Sequence, residues 1–241
     1  MTNLLDNYVA AYERKSPFDF DNEILLNWYP QRIVSLAGNR GTILELGLGH
    51  GFSTNLFSQN FERHVVLEGS SAVIDNFRKL YPACKAELVE TYFETFDTEE
   101  RFDLIVMGFI LEHVDDPVDI MKRFGKFLKP GGQMFIAVPN AEVLNRRFGQ
   151  AMGMLPDIAK LSDYDLLLGH KRYYTVDSLR NDVAAAGYAV ENMEGIFLKP
   201  LTSQQLQSLH LEKGVLDAMC QIGIDYPELS CGILSQIRAC T

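Results

Sequence analysis

Residues 42–57 read T-I-L-E-L-G-L-G-H-G-F-S-T-N-L-F, and this stretch carries the clearest fold signal in the chain. The apolar run at 43–46 is typical of a strand buried in a parallel sheet. Glycines at alternate positions follow from Gly47 to Gly51, and a helix is expected to start at Ser53. A strand, a glycine turn and a helix in this order form the first unit of a doubly wound nucleotide-binding fold.

The spacing of the glycines indicates which kind of nucleotide ligand the turn can hold. Glycine lets the main chain turn sharply and approach a ligand closely, and the helix that follows offers unpaired N–H groups. A dinucleotide site has glycine at the first, third and sixth positions of the turn. Counted from Gly47, the sixth position is Phe52, which argues against a nicotinamide-dependent dehydrogenase.

Four motifs in sequence order resemble those of the class I S-adenosylmethionine-dependent methyltransferases. The first is G-x-G-x-G preceded by the acidic residue Glu45, and the others are F-D-L-I-V at 102–106, L-E-H-V-x-D-P at 111–117 and L-K-P-G-G at 128–132. The second and third motifs are similar to those of ubiquinone-pathway O-methyltransferases and sugar N-methyltransferases. The resemblance implies S-adenosyl-L-methionine as the cofactor. It also implies a Rossmann-like, doubly wound α/β sheet in the strand order 3-2-1-4-5-7-6, with the last strand antiparallel, an N-terminal helical lid and insertions after strands 5 and 6. A helix is expected at 201–222, between the last two strands, and a helix at 118–128 is expected to end in a turn at 129–132.

A length of 241 residues suits one α/β domain with additions, or at most two small domains, and the resemblance implies a single methyltransferase domain over 1–241. We expect a helical lid at 1–41, a cofactor-binding core at 42–140, and an acceptor-site insertion with the rest of the sheet at 141–241. The formal net charge of −10 disfavours nucleic acid and anionic membranes as partners, because both attract basic patches. The sequence carries no signal-peptide pattern and no apolar run of membrane-spanning length, and its four scattered cysteines predict free thiols in a cytoplasmic protein. The resemblance implies a small-molecule acceptor, and a homodimer stays open.

The aromatic-rich region 1–41 has two readings. Residues 22–36 show roughly helical spacing of apolar side chains, with Pro30 as an expected interruption. A helix covering one face of the sheet would account for this pattern. The resemblance adds a second reading, a lid over the cofactor from which Tyr8, Tyr12 or Arg14 reaches the ligand.

The resemblance implies a set of cofactor-binding residues that follow the first four strands. Glu68 ends the second strand, where the two oxygens of one carboxylate can accept both ribose hydroxyls. The family often has an aspartate after the third strand that contacts adenine, but Thr91 stands at the matching position here. The backbone of Tyr92 or Phe93, or a stacked ring, is expected to replace that contact. The full predicted set is Glu45, Gly47, Gly49, Gly51, Glu68, Thr91, Tyr92, Gly108 and Phe109.

Two histidines are candidates for the catalytic base. A sulfonium already activates the methyl group, so the protein has to hold the acceptor oxygen or nitrogen in line and exclude water. A hydroxyl acceptor also needs a base, and histidine titrates in the right range. We favour His170 over His113, although His113 could simply hold its loop. Whether the acceptor atom is oxygen or nitrogen stays open.

The motif G-H-x-R-x-Y-T at 169–175 lies in the insertion that builds the acceptor pocket in the resembling family. Arg172, Tyr173 and Tyr174 are therefore expected to bind the substrate, and Arg172 with Lys171 hints at an anionic acceptor. The alternative is that His170 and Arg172 only tie this loop to the following helix. A catalytically inactive partner protein with the same fold is the rival function, and no metal cluster is apparent in the sequence.

Overall fold

The computed structural model describes residues 19–240, and Tyr8, Tyr12 and Arg14 lie outside this range. Helices and strands alternate through most of the described chain. In chain order they are α1 (Asp19–Leu36), β1 (Thr42–Leu46), α2 (Phe52–Asn60), β2 (Arg63–Glu68), α3 (Ser71–Leu80), β3 (Glu87–Glu90), β4 (Phe102–Gly108), α4 (Pro117–Gly125), β5 (Leu128–Pro139), α5 (Leu144–Ala151), α6 (Asp163–Leu167), α7 (Val176–Ala185), β6 (Tyr188–Ile196), α8 (Ser203–Ser208), α9 (Lys213–Gly223) and β7 (Gly232–Ala239).

The seven strands form one sheet in the order β3-β2-β1-β4-β5-β7-β6, which confirms the predicted topology. The first five strands pair in parallel, whereas β7 runs antiparallel to both β5 and β6. The strand order reverses between β1 and β4. In open α/β sheets the crevice at such a reversal, outside the carboxyl ends of the strands, is where ligands bind.

Both faces of the central strands are buried, because helices cover the sheet on each side. Leu44, Ile105 and Ile136 pack into one hydrophobic cluster, and their neighbours Ile43 and Leu104 pack into a second one. This explains why the central strands are continuous apolar runs rather than alternating ones. In the described part of the chain, no helix is both long enough and apolar enough to cross a membrane.

Three local predictions were wrong. Helix α1 runs unbroken through Pro30, and buried residues around that proline, including Tyr29 and Ile33, hold it against the sheet. The single helix predicted at 201–222 is two helices, separated near His210, which has a positive φ of 48°. The helix predicted at 118–128 ends at Gly125, and residues 129–132, predicted as a turn, belong to β5, since Leu128 already pairs with Phe102.

Candidate active site

A cavity of about 320 Å³ lies where the strand order reverses. Helix α1 covers one side of it, and the segments that follow β1, β2 and β4 supply most of the rest. Its walls combine backbone, apolar side chains and a few polar groups. They include Asn22, Leu25, Leu26, Tyr29, residues 47–53, Glu68, Gly69, Ser70, Val73, Phe93, Gly108, Phe109, Ile110, Glu112, His113, Pro139, Tyr164, Leu168 and His170.

The glycine turn forms the floor at one end of this cavity. Gly47, Gly49 and Gly51 all have positive φ, between 49° and 79°, a region that L side chains rarely adopt. A Cβ on Gly51 would lie 2.5 Å from the ring of Phe77, so packing also requires glycine there. A Cβ on Gly49 would meet no protein atom within 4 Å, and this residue lines the cavity. Position 49 therefore leaves room for a ligand against the main chain.

Glu68 is held at the end of β2 with both carboxylate oxygens in use. Oε2 accepts the backbone N–H of Leu48 at 3.0 Å, and Oε1 accepts that of Ser70 at 2.9 Å. Burial raises the pKa of this carboxyl, against the lowering effect of those backbone hydrogen bonds. The backbone N–H of Gly69 also lowers this pKa, so three backbone donors face the carboxylate. A carboxylate has about four lone-pair sites, and Glu68 therefore retains acceptor capacity for a ribose.

Helix α1 contributes Tyr29, a cavity residue that the sequence did not single out. If position 108 carried a Cβ, that atom would lie 2.3 Å from the Tyr29 hydroxyl, so the tyrosine packs directly on Gly108. The Tyr29 ring also meets the Phe109 ring edge-on, with their centroids 5.6 Å apart. Phe109 itself has a φ of 57°, a strained conformation of the kind that clusters at functional sites. The predicted residues Gly108 and Phe109 thus lie on the cavity wall under α1.

Of the residues that follow β3, Phe93 lines the cavity, whereas Thr91 and Tyr92 are absent from the walls that the described residues form. Tyr92 is 47% exposed. The carbonyl of Phe93 accepts a hydrogen bond from Nε of Arg123 at 3.0 Å, which fixes this segment. The ring of Phe93 is consequently the group from this segment that can pack against an adenine.

Glu45 does not reach the cavity, contrary to the prediction. Its carboxylate is buried beneath the glycine turn, where Oε2 accepts the hydroxyl of Thr54 at 2.7 Å and lies 3.0 Å from Nε2 of His64. These contacts tie β1 to α2 and β2. Glu45 therefore supports the turn that lines the cavity instead of contacting a ligand itself.

The other end of the cavity brings together Glu112, His113 and His170. The rings of His113 and His170 meet edge-on with their centroids 4.7 Å apart. Burial raises the pKa of Glu112 to about 7, against the opposing charge of His170. Burial also lowers the pKa of His113 to about 4, although the backbones of Gly169 and Leu168 accept its hydrogen bonds. His113 is therefore neutral near pH 7 and a weak base.

Behind His170 lies Asp165, the second residue that sequence inspection missed. Nδ1 of His170 is 3.1 Å from Oδ1 of Asp165, and the backbone N–H of His170 donates to the Asp165 carbonyl at 2.9 Å. The sequence S-D-Y-D at 162–165 signals a helix N-terminus, and the structure has a capping box there between Ser162 and Asp165. That signal gives no indication of the contact to His170.

Arg172 and Tyr174, predicted to bind substrate, make structural contacts instead. The guanidinium of Arg172 donates to the carbonyls of Leu111, Val114 and Asp115 at 2.6–3.0 Å. Tyr174 is 1% exposed and its hydroxyl donates to Asp182 at 3.2 Å. Neither residue belongs to the cavity walls that the described residues form.

Tyr173 and Lys171 are also absent from those walls. The hydroxyl of Tyr173 donates to Oδ2 of Asp165 at 2.5 Å. Lys171 pairs with the exposed Asp115. The described walls therefore contain neither lysine nor arginine, which removes the sequence-based hint of an anionic acceptor.

The described residues also include one group that could share a cation. Glu112, His113 and His170 can each offer one ligand atom, and these atoms lie within 4.8 Å of one another. The end of the cavity formed by the glycine turn and Glu68 fits S-adenosylmethionine. The open space at Gly49 accommodates a ligand that lies against the main chain, and the buried carboxylate of Glu68 suits a ribose diol.

Comparison with known proteins identifies the family of the chain. A family profile described as a methyltransferase domain matches residues 25–192. A ubiquinone biosynthesis O-methyltransferase from Parvibaculum lavamentivorans is 31% identical over 110 residues, 44% of this chain and 40% of that protein. Its counterpart from Acinetobacter baylyi is 24% identical over 193 residues, 75% of this chain and 76% of that protein. The chain thus spans less than half of the first relative and about three quarters of the second.

Solved structures extend the likeness over the whole chain. The N-methyltransferase NodS from Bradyrhizobium japonicum, in complex with S-adenosyl-L-homocysteine, superposes with a TM-score of 0.62 at 14% identity, and the match covers 100% of both chains. At this level of identity the likeness concerns the fold alone.

Proposed function

The chain belongs to the class I S-adenosylmethionine-dependent methyltransferases, and we propose that it methylates an oxygen of a small acceptor held beside His170. One observation carries the proposal. A single cavity connects the glycine turn and Glu68 to Glu112, His113 and His170. A donor bound at the first end would direct its methyl group toward the second end, where the described groups that can take a proton are concentrated.

The proposed arrangement of the donor follows the cavity walls. Glu68 accepts the ribose hydroxyls, and Phe93 packs against the adenine. Gly108 and Phe109, with Tyr29 above them, line the methionine portion. Bound S-adenosylmethionine supplies a methyl group activated by its sulfonium, and the C–S bonding pair stays on sulfur as a lone pair of the acceptor forms the new bond.

His170 is the proposed base, because it lines the cavity and burial makes His113 a weak base. His113 is neutral because its pKa is low, and hydrogen bonds to backbone carbonyls already engage its ring. His170 has Nδ1 directed at Asp165, which makes Nε2 the nitrogen that would take the acceptor proton. The protein's remaining task is to hold the acceptor in line, with the reacting atoms about 3–3.5 Å apart, and to exclude water.

A neutral hydroxyl acceptor suits this end of the cavity better than an anionic one. The described walls carry the carboxylates of Glu68 and Glu112 and no lysine or arginine. The curated relatives are named as O-methyltransferases, which supports oxygen as the acceptor atom. Nitrogen is the second candidate, since an amine that arrives neutral needs only positioning.

A transfer assay with donor labelled in the methyl group tests the proposal. Matched aromatic acceptors should carry a hydroxyl, an amine or a phosphate at the same ring position. We expect label on the hydroxyl compound, with a rate that falls at acidic pH as the base becomes protonated. Label on the amine alone would make nitrogen the acceptor atom. Donor binding without transfer to any compound would favour the inactive partner protein.

A further inference from the structure

Asp165 has more contacts than a helix cap requires, and its two carboxylate oxygens have separate roles. Oδ2 accepts three hydrogen bonds, from the backbone N–H of Ser162 at 2.9 Å, from the Ser162 hydroxyl, and from the Tyr173 hydroxyl at 2.5 Å. Oδ1 faces Nδ1 of His170 at 3.1 Å. The capping box involves Oδ2 alone, so the contact of Oδ1 with the imidazole is additional.

The surrounding residues fix this carboxylate rigidly. Asp165 is buried, and burial raises its pKa, but the close approach of His170 and the hydrogen bonds from Ser162 and Tyr173 outweigh that effect and hold the pKa well below its usual range. The ring of Tyr173 lies 4.5 Å from the guanidinium carbon of Arg146, whose Nη2 donates to the carbonyls of Ile158 and Lys160. The carboxylate is therefore ionised and held from several directions.

The main chain brings His170 back to the same residue. Gly169, with a φ of 79°, reverses the chain after α6, and the backbone N–H of His170 then donates to the Asp165 carbonyl. Other charged or titratable groups face His170 from the segment after β4, namely Glu112 and His113. The adjacent cations Lys171 and Arg172 are engaged with Asp115 and with backbone carbonyls.

We propose that Asp165 is a positioning residue that orients His170 through Nδ1 so that Nε2 faces the acceptor. This inference rests on the proposed function of His170 as the base. The acceptor proton moves to Nε2 as the new bond forms, and the imidazolium later releases it to solvent. Asp165 keeps its negative charge throughout and stabilises the imidazolium without taking the proton.

Asp165→Asn tests the proposal, because it keeps the side-chain shape and removes the charge. We expect kcat to fall at least tenfold, while KM for the donor changes less than twofold. Ser178→Ala is the matched control, since Ser178 occupies the same third position in the capping box of α7 and lies outside the cavity walls. This variant should lower the melting temperature and leave kcat unchanged. An unchanged kcat in Asp165→Asn would overturn the proposal.

A second measurement does not depend on the acceptor. In proton NMR, an imidazole N–H held by a carboxylate gives a strongly downfield signal, which we expect in the wild-type protein and in Ser178→Ala. The signal should disappear in His170→Asn and in Asp165→Asn. Its absence from the wild-type protein, or its survival in Asp165→Asn, would overturn the inference even if no acceptor is methylated. Failure of transfer with this signal intact would overturn the proposed function instead.

Tyr173→Phe covers the case in which Asp165→Asn does not fold. It removes one of the three donors on Oδ2 and leaves the carboxylate in place. We expect the same downfield signal to shift or broaden and kcat to fall several-fold. A signal and a kcat both identical to those of the wild-type protein would then count against Asp165 as the positioning residue.

Discussion

The two ends of the cavity are built in different ways. At the donor end, the glycine turn at 47–53 and Glu68 at the tip of the neighbouring strand come from one strand–helix–strand unit, and Tyr29, Phe93, Gly108 and Phe109 complete it. The acceptor end joins Glu112 and His113, which follow β4, to His170, which follows α6. A local pattern therefore specifies the glycine turn and Glu68, whereas long-range contacts complete the donor end and assemble the acceptor end.

The largest expected effect is at the donor end. Gly49→Val should abolish detectable binding of S-adenosylmethionine while the fold stays intact, because the side chain would enter space that the protein leaves open. Calorimetry with circular dichroism measures both properties.

Backbone strain at position 49 has to be separated from obstruction of the cavity. Gly131→Val is the matched control, since Gly131 also has a positive φ, 76°, and open space around it but lies outside the cavity walls. Equal loss of binding in both variants would show that strain, and not obstruction, is responsible. Normal binding by Gly49→Val would mean that the ligand lies elsewhere.

At the acceptor end, His170→Ala should lower turnover by about 10²–10⁴-fold with donor affinity unchanged. The rate should also lose its decline at acidic pH. His210→Ala, which changes an exposed histidine outside the cavity walls, is the control.

If His113→Ala lowers turnover and His170→Ala does not, the roles of the two histidines are reversed. If both variants keep normal turnover, transfer depends on positioning alone and an amine acceptor becomes the better proposal.

The contrast between the two ends also explains how much the sequence could predict. The sheet and the glycine turn follow from apolar runs and glycine spacing, which are local, and the strand order follows from the family resemblance. The resemblance assigned Glu45 to the ligand, but its partners Thr54 and His64 come from α2 and β2. Motif spacing does not reveal that the carboxylate lies beneath the turn.

The predictions for the loop at 170–174 show the limit most clearly. Its histidine, cation and tyrosines suggest an acceptor site, and His170 does line the cavity. The partners of Arg172 are backbone carbonyls, however, and backbone carbonyls have no sequence signature. The role that we propose for Asp165 depends in the same way on a chain reversal at Gly169.

Glu112 provides a pH test of the acceptor end, with an effect on stability instead of rate. Its pKa is 4.5 in the unfolded reference and about 7 in the folded protein, so the folded state binds more protons between these values. The free energy of unfolding should therefore fall as the pH rises from about 4.5 to 7, by up to about 3 kcal/mol. Glu112→Gln should remove this loss, and so be more stable than the wild-type protein at pH 8 and similar to it at pH 4.

Urea unfolding at several pH values, with a chelator present, measures this difference without interference from a bound cation. Glu99→Gln, at an exposed position, is the control and should keep the wild-type pH dependence. If Glu112→Gln also keeps the wild-type pH dependence, other groups stabilise the ionised Glu112 in the folded protein. Burial of this carboxylate then costs less free energy than we expect.

The smallest effect is expected at Glu68, where the donor end is tested by a change of charge alone. Glu68→Gln should weaken binding of both S-adenosylmethionine and S-adenosylhomocysteine by about 1.5–3 kcal/mol, since the ribose hydroxyls lose a charged acceptor. Glu90→Gln is a close control, because Glu90 pairs with Glu68 in the sheet register, ends the adjacent strand and is exposed outside the cavity walls. Calorimetry should show an affinity loss in the first variant and none in the second. Equal affinities in both would remove the ribose role from Glu68 and leave the glycine turn as the main determinant of donor binding.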